Sequence, residues 1–271
     1  MRVAYTGWTW LINHQDNQKY EFEQFLKEVA DIGYDSVENF AFITKYFNND
    51  AGEVKGLLDK YGLHMANLYE HFTDDSEADY NSAVAYVDFM KKIGSGHLNL
   101  QGTMWREDPQ DRPLDKARVK AYADLSNKIG KLCADNGIKA CMHPHANTAI
   151  FSEEDIDFFA ENTDPEYVYL CLDTAHTLLA GMDPAGAFRK YAPRIGYVHL
   201  KDVSPVEAVP GQRMTRFTAL GMGTIDFLGV YNELAAAGFD GVLCVELDRP
   251  HVCNYKSALV SRQYIHNVLG L

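Results

Sequence analysis

Two spacings of apolar residues alternate along this 271-residue chain. Short β-branched and aromatic runs give way to longer stretches in which apolar side chains return every three or four positions, the periods of strand and helix. The run at 2–6 ends at Gly7, before Trp8 and Trp10; Phe22, Phe25, Leu26, Val29 and Ile32 then share one helical face that Gly33 closes. A strand at 35–38 precedes a helix at 51–60. A strand at 63–68 precedes a helix running from an N-cap at Ser76 to Ile93. The pattern returns as a strand at 97–102 with a helix at 114–135, and a strand at 138–143 with a helix from Ser152 to Glu161. The sixth strand, 167–173, ends on Asp173, with His176 on the following loop and 178–181 reading as a turn into a helix. Asp183-Pro184 opens a helix to Tyr191, followed by a strand at 195–200, a helix from 224–226 to Ala237, a strand at 241–246 and a helix at 255–268.

Eight strands, each followed by a helix and with no linker between units, predict parallel pairing through right-handed crossovers. The pattern therefore predicts one (β/α)8 TIM barrel domain over residues 1–271. A doubly wound open sheet is the alternative. No GxGxxG or P-loop follows any strand, and polar residues end most strands rather than one or two.

Charge narrows the partners. Hydrophobic residues are 46% and charged residues 23% of the chain, ordinary for a large globular core, but the net charge is −13. Lys and Arg form no cluster, so nucleic acid is excluded as the main partner. Cys133, Cys141, Cys171, Cys244 and Cys253 form no CxxC pair, and three of them lie in apolar strand runs. They read as buried free thiols in a reducing cytoplasm. The first residues lack a leader's apolar core, and no run approaches the roughly 18 apolar residues of a membrane span. A soluble cytoplasmic protein is expected.

In such a barrel the strand ends converge on one cleft, where chemistry is placed. They read Glu38, the 67–71 segment with His71, Gln101, His143 with His145, Asp173 with His176, His199 with Lys201 and Asp202, and Glu246. One polar strand end is ordinary half-exposure; a ring of them points to a site. Metal ligation is the sharpest reading: His143, Asp173, His199 and Glu246 supply two imidazoles and two carboxylates, a set that suits Mn²⁺, Co²⁺, Fe²⁺ or Zn²⁺. His199 could instead be a core histidine, but its place at the mouth argues against that. An unpaired Glu246 after Val242-Leu243-Cys244-Val245 is costly without a cation. Pro144 forces His143 into extended geometry, which favours it as the ligand over His145. His145 remains open as ligand, as general base or as a group that orients a ligand.

These residues carry a resemblance. Leu172-Asp173-Thr174-Ala175-His176, Val198-His199-Leu200-Lys201-Asp202, Leu220-Gly221-Met222-Gly223-Thr224-Ile225-Asp226 and Val245-Glu246 are similar to motifs of the xylose isomerase-like TIM barrels. That superfamily includes sugar isomerases, 3-epimerases, inosose dehydratases and endonuclease IV. The resemblance implies that Asp173, His199 and Glu246 bind one divalent metal, with Mn²⁺ favoured, and that His176 contacts substrate. It also implies an arginine before the Leu-Gly-x-Gly motif holding substrate oxygens: Arg216, with Arg213 second. It further implies that such barrels are often homodimers or homotetramers. One departure stands out. Many relatives carry a glutamate at the end of strand five, where this chain has His143. His143-Pro144-His145 looks more like the inosose dehydratase branch, although Ala146-Asn147 replaces its usual pair. Endonuclease IV needs an Asp-x-His pair that the segment 210–217 lacks.

The chemistry so implied is sugar isomerisation or epimerisation of a keto sugar or inosose through a metal-stabilised enediolate, with Glu246 or a nearby histidine taking the proton. The alternative is dehydration, with His145 or His176 as the acid because imidazole titrates near working pH. A phosphodiesterase and a non-catalytic sugar-binding barrel complete the alternatives. Trp8, Trp10, Tyr69 and Phe72 offer an apolar wall for a sugar ring, or ordinary rim packing. Trp8, Glu38, His71, Gln101, His176, Lys201 and Arg216 are the expected substrate contacts for a small sugar or inositol-derived molecule.

Overall fold

The computed structural model describes residues 1–11, 17–104, 112–207 and 216–271. In chain order these form β1 (Arg2–Thr6), α1 (Trp8–Leu11), α2 (Gln18–Ile32), β2 (Ser36–Phe40), α3 (Ile43–Tyr46), α4 (Ala51–Tyr61), β3 (His64–His71), α5 (Ser76–Ile93) and β4 (His97–Gln101). They continue with α6 (Lys116–Ala134), β5 (Lys139–Met142), α7 (Glu153–Glu161), β6 (Val168–Asp173), α8 (Thr174–Leu179), α9 (Pro184–Tyr191) and β7 (Ile195–Leu200). A two-stranded antiparallel pair, β8 (Asp202–Val203) and β9 (Phe217–Thr218), precedes α10 (Phe227–Ala236), β10 (Val242–Val245) and α11 (Asn254–Tyr264).

Eight strands close into a barrel in the order β1-β10-β7-β6-β5-β4-β3-β2, every neighbouring pair parallel. The predicted (β/α)8 barrel is the observed fold. Because side chains alternate along each strand, one set lines the interior. At the bottom this set is small or aromatic: Ala4, Ala66, Cys141, Cys171, Tyr197, Val242 and Cys244 pack together, fully buried or nearly so. Above them the same strands offer Glu38, Asn67 and Asn99, and at the mouth His143, Asp173, His199 and Glu246. The outward set, among them Val37, Leu68, Leu98, Met142, Leu172, Val198 and Leu243, forms the main core with the helices.

Three departures from the sequence reading matter. β2 and β3 run on to Phe40 and His71, so Glu38 lies inside the barrel rather than at its rim. The cap of α5 is Asp75, not Ser76, because the Asp75 carboxylate accepts from the N–H groups of Glu77 and Ala78. No turn separates β6 from its helix: Asp173 itself caps α8, so His176 stands on a helix rather than on a loop.

Gly130 shows how tightly α6 sits on β6. A Cβ there would lie 2.7 Å from the Tyr167 carbonyl oxygen and 2.9 Å from Val168 Cγ2. Alanine in an open helix interior stabilises by up to about 1 kcal/mol relative to glycine. Here the overpacking term wins, and Gly130→Ala is expected to lower unfolding free energy by about 1–3 kcal/mol in denaturant titration. A more stable variant would contradict this packing.

Candidate active site

The four residues predicted as ligands meet at the mouth. The ligand atoms of His143, Asp173, His199 and Glu246 all lie within 4.8 Å of one another, and all four side chains are buried. Strand register brings them together: Asp173 pairs opposite His199 across β6 and β7, and Cys244 pairs opposite His199 across β10 and β7. Glu246 is the next inward position after Cys244.

Hydrogen-bond roles decide which atom each residue presents. His143 Nδ1 lies 3.1 Å from the Cys171 carbonyl. A carbonyl only accepts, so Nδ1 carries the proton and Nε2 the lone pair. His199 Nε2 donates to Glu38 Oε2 at 2.8 Å, which leaves Nδ1 toward the site, 2.9 Å from Glu246 Oε2. Asp173 Oδ1 accepts the His176 N–H at 2.8 Å, and Glu246 Oε1 lies 3.3 Å from Lys201 Nζ. What remains is His143 Nε2, Asp173 Oδ2, His199 Nδ1 and Glu246 Oε2, each buried and without a hydrogen-bond partner. Four acceptors facing one another out of water are costly unless a cation lies among them. The residues therefore fit a divalent metal ion, and two imidazoles with two carboxylates suit a borderline first-row one. His143, not His145, belongs to this set of four.

Electrostatics agree. Burial, with Glu246 nearby, pushes the Asp173 carboxyl up to about 7, against the pull of Lys201 and His199. Glu246 is held well below the usual carboxylate range: burial opposes this, but Lys201 and His199 outweigh it. Burial also works against a charged His199, yet Cys171, Glu38 and Glu246 together raise it well above an ordinary histidine. Burial pushes the Cys171 thiol itself up to about 12, so it stays protonated at neutral pH. Burial drives His143 well below the ordinary value, which keeps its lone pair available.

His145 and His176 form a second feature, with ring centroids 3.9 Å apart. His145 Nδ1 lies 2.5 Å from the Ala146 carbonyl, so its Nε2 bears the lone pair. His176 Nδ1 accepts the Ala146 N–H at 3.4 Å, so its buried, unpartnered Nε2 bears the proton. The two rings thus hold opposite tautomers, one with a lone pair and one with an N–H to offer. Expected to titrate near working pH, both are driven down instead. His145 falls to about 3, through burial and Lys201, and His176 falls well below its ordinary value, through burial and His145.

The expected substrate contacts divide. Trp8 packs on Phe40 at 4.8 Å, and Phe40 lies nearly parallel to His71 at 5.7 Å. Tyr69 joins this wall and stacks on His199 at 6.1 Å. Gln101 Oε1 takes the Tyr69 hydroxyl hydrogen bond, and its buried Nε2 has no partner. Glu38 does not face the cleft; it lies beneath His199 and also accepts from Asn67 at 2.7 Å and Asn99 at 3.3 Å. Lys201 is fully buried and spent on Asp248 at 2.6 Å, on Glu246 and on the Phe217 ring face at 4.3 Å. Trp10 and Phe72 belong to the core, Trp10 bonded to Glu28 at 2.8 Å and Phe72 packed on Tyr122 at 5.5 Å. Arg216 is half-buried beside β9; Arg213 lies outside the described residues. Asn99, Phe40 and Asp248 went unread, although Asn99 stands in the alternating His97-Leu98-Asn99-Leu100-Gln101, a period-two signal.

Residues 26–263 match the family model for the xylose isomerase-like TIM barrel. The chain belongs to that family. An inosose dehydratase of Clostridium botulinum (strain Alaska E43 / Type E3) is 31% identical over 285 residues, covering 96% of this chain and 93% of the relative. Among solved structures, the IOLI protein with a bound zinc atom has a TM-score of 0.79 at 16% identity, covering 100% of this chain and 98% of that one. The 3-keto-D-glucoside 4-epimerase YcjR from E. coli has a TM-score of 0.72 at 17% identity, covering 97% of each chain. At such identity the structural likeness establishes the fold alone. As a member of this family, the chain is an enzyme. No helix among its described residues is long and apolar enough to cross a membrane.

A bound cation must displace the protons that Asp173, at about 7, and His199, at its raised value, hold as pH falls. Titration with Mn²⁺ or Zn²⁺ is therefore expected to show affinity falling from pH 8 to pH 6, roughly ten-fold per pH unit for each proton displaced. Glu38→Gln, which removes the carboxylate orienting His199, should weaken binding about 10–100-fold at fixed pH. Affinity indifferent to both would contradict this cradle.

Proposed function

We propose that this enzyme is a metal-dependent dehydratase that removes water from a keto-inositol or a related keto sugar. The observation that carries the reading is the strand-five end. Where a two-carboxylate epimerase needs its second glutamate, this chain places His143, and beside it the tautomeric pair His145 and His176. The full-length likeness to inosose dehydratases supports the same choice. A divalent ion held by His143, Asp173, His199 and Glu246, with manganese favoured and zinc next, would supply Lewis-acid polarisation of the substrate carbonyl.

The chain's own groups supply the rest. Glu246, first expected to take the proton, has one oxygen against Lys201 and the other in the cation set. We therefore assign abstraction of the C–H beside the carbonyl to the free His145 Nε2. His176 Nε2–H stands ready to protonate the hydroxyl on the next carbon, which leaves as water as the double bond forms. The proton that His145 gains and the one that His176 gives up are exchanged back, between the two rings or through solvent, so both regain their starting tautomers and one water is the net loss. Gln101 Nε2 donates to a substrate oxygen, and Trp8, Phe40, Tyr69 and His71 form the wall against which the ring lies. The buried thiols and the net charge of −13 fit a cytoplasmic enzyme for a small neutral substrate rather than nucleic acid.

Epimerisation or isomerisation is the second reading, favoured by the shared first step: the same proton returned to carbon without loss of the hydroxyl. Proton NMR in D₂O with a panel of inososes and ketoses separates the two. Dehydration predicts loss of a hydroxyl-bearing carbon signal and a new enone. Deuterium entering beside the carbonyl with all hydroxyls retained means epimerase or isomerase. His145→Gln and His176→Gln are expected to lower kcat about 10²–10⁴-fold with metal content unchanged. Full activity in either variant would remove that residue from the chemistry.

A further inference from the structure

Asp202 follows the metal-cradle strand directly and is fully buried, yet it points away from the cradle. Each of its oxygens is met by two backbone N–H groups. Oδ2 accepts from Gly221 at 3.0 Å and Gly223 at 2.9 Å, and Oδ1 from Val203 at 2.9 Å and Ile225 at 3.1 Å. Every second N–H of the 221–225 segment thus turns onto this one carboxylate, an anion-binding concavity of backbone dipoles.

This arrangement accounts for both glycines of the Leu220-Gly221-Met222-Gly223 motif. A Cβ on Gly223 would lie 2.2 Å from Asp202 Oδ1 and 2.3 Å from the Val203 carbonyl oxygen. Gly221 has a φ of +80°, and a Cβ there would lie 2.2 Å from the Tyr264 ring. The wrapped segment is tied down further along its length. Thr224 N donates to Val203 O at 3.0 Å, Leu220 N to Ser261 Oγ at 3.2 Å, and Ser204 N to Arg216 O at 2.8 Å. It delivers Phe217 to the cleft, where the ring lies under Lys201 Nζ and 5.8 Å from the His176 ring.

We propose that Asp202 is the positioning residue of this cleft wall: its buried carboxylate, wrapped by Gly221 and Gly223, holds Phe217 beside His176. It touches neither the cation set nor the substrate. Removing its charge loosens residues 216–225 and opens the flank of His176 while the four metal ligands keep their places. Only the kinetic arm of the test rests on the dehydratase reading.

The test compares metal-loaded wild type, Asp202→Asn and Gly223→Ala. Asparagine keeps the shape but turns an acceptor into a donor facing N–H groups. Alanine attacks the same contact from the other side. In the wild type, the Gly221, Gly223 and Ile225 amides should exchange with deuterium as slowly as those of β7, although they lie outside helix and strand. In either variant they should exchange at least about ten-fold faster, with β7 and β10 unchanged. Modification of His176 by diethyl pyrocarbonate, read by peptide mass, should rise with them, and KM for the keto-inositol should rise about ten-fold with kcat within about three-fold. Fast exchange at these amides in the wild type overturns the proposal even if neither variant folds. Uniform acceleration through the barrel, or loosened amides with His176 modification unchanged, overturns it as well. A wild type without turnover sinks the dehydratase reading alone, because the exchange and modification arms need no substrate.

Discussion

Four buried atoms left without a hydrogen-bond partner are the constraint on which the rest of this molecule turns. His143 Nε2, Asp173 Oδ2, His199 Nδ1 and Glu246 Oε2 come from four different strands, and each is orphaned only because its sibling atom is committed elsewhere. The Cys171 carbonyl, the α8 N-terminus, Glu38 and Lys201 make those commitments. A side chain free to rotate would turn its lone pair toward water. Fixed this way, the four are relieved by protons held at Asp173 and His199 or by a cation that displaces them. The supporting shell is thus as much part of the site as the ligands are.

The barrel makes such a cluster possible without destabilising the fold. Its lower interior is filled by Ala4, Cys141, Cys171, Tyr197 and Cys244, its middle by the amides of Asn67 and Asn99 around Glu38, and only its mouth carries the uncompensated set. Burial at the mouth is what drives His143, His145 and His176 to their neutral forms and Asp173 upward. Lys201, buried among these groups, is balanced by Asp248 and Glu246 and keeps the carboxylate crowd from repelling itself. The groups at the mouth with atoms still to offer are His145, His176 and Gln101, the ones the proposed dehydration uses.

Much of this was legible in the residues, and the limits are physical. The period of apolar positions revealed the eight strands, and an ionisable side chain ending an apolar run marked Asp173, His199 and Glu246 because burial of such a group demands a reason. Glu38 was found but misplaced. The sequence 36–40 does not show where pairing with β3 ends, and two more strand residues move a carboxylate from the rim to the floor. Lys201 read as a substrate contact because nothing local announces Asp248, 47 positions on, as its partner. The bond between Asp202 and the Gly221-Met222-Gly223 motif likewise joins residues about twenty positions apart, and only the folded chain shows that two separate motifs are one device. Burial also overturned the ordinary titration expected of His145 and His176, since a histidine's neighbours in space are not in its sequence.

The central claim is that these four atoms share one divalent cation. Anomalous diffraction from crystals of the protein grown with Mn²⁺, collected on both sides of the manganese edge, tests it directly. One strong peak about 2.0–2.3 Å from His143 Nε2, Asp173 Oδ2, His199 Nδ1 and Glu246 Oε2 is the predicted result. A peak held through His145 instead of His143, or no peak at the mouth of a fully folded barrel, would contradict it.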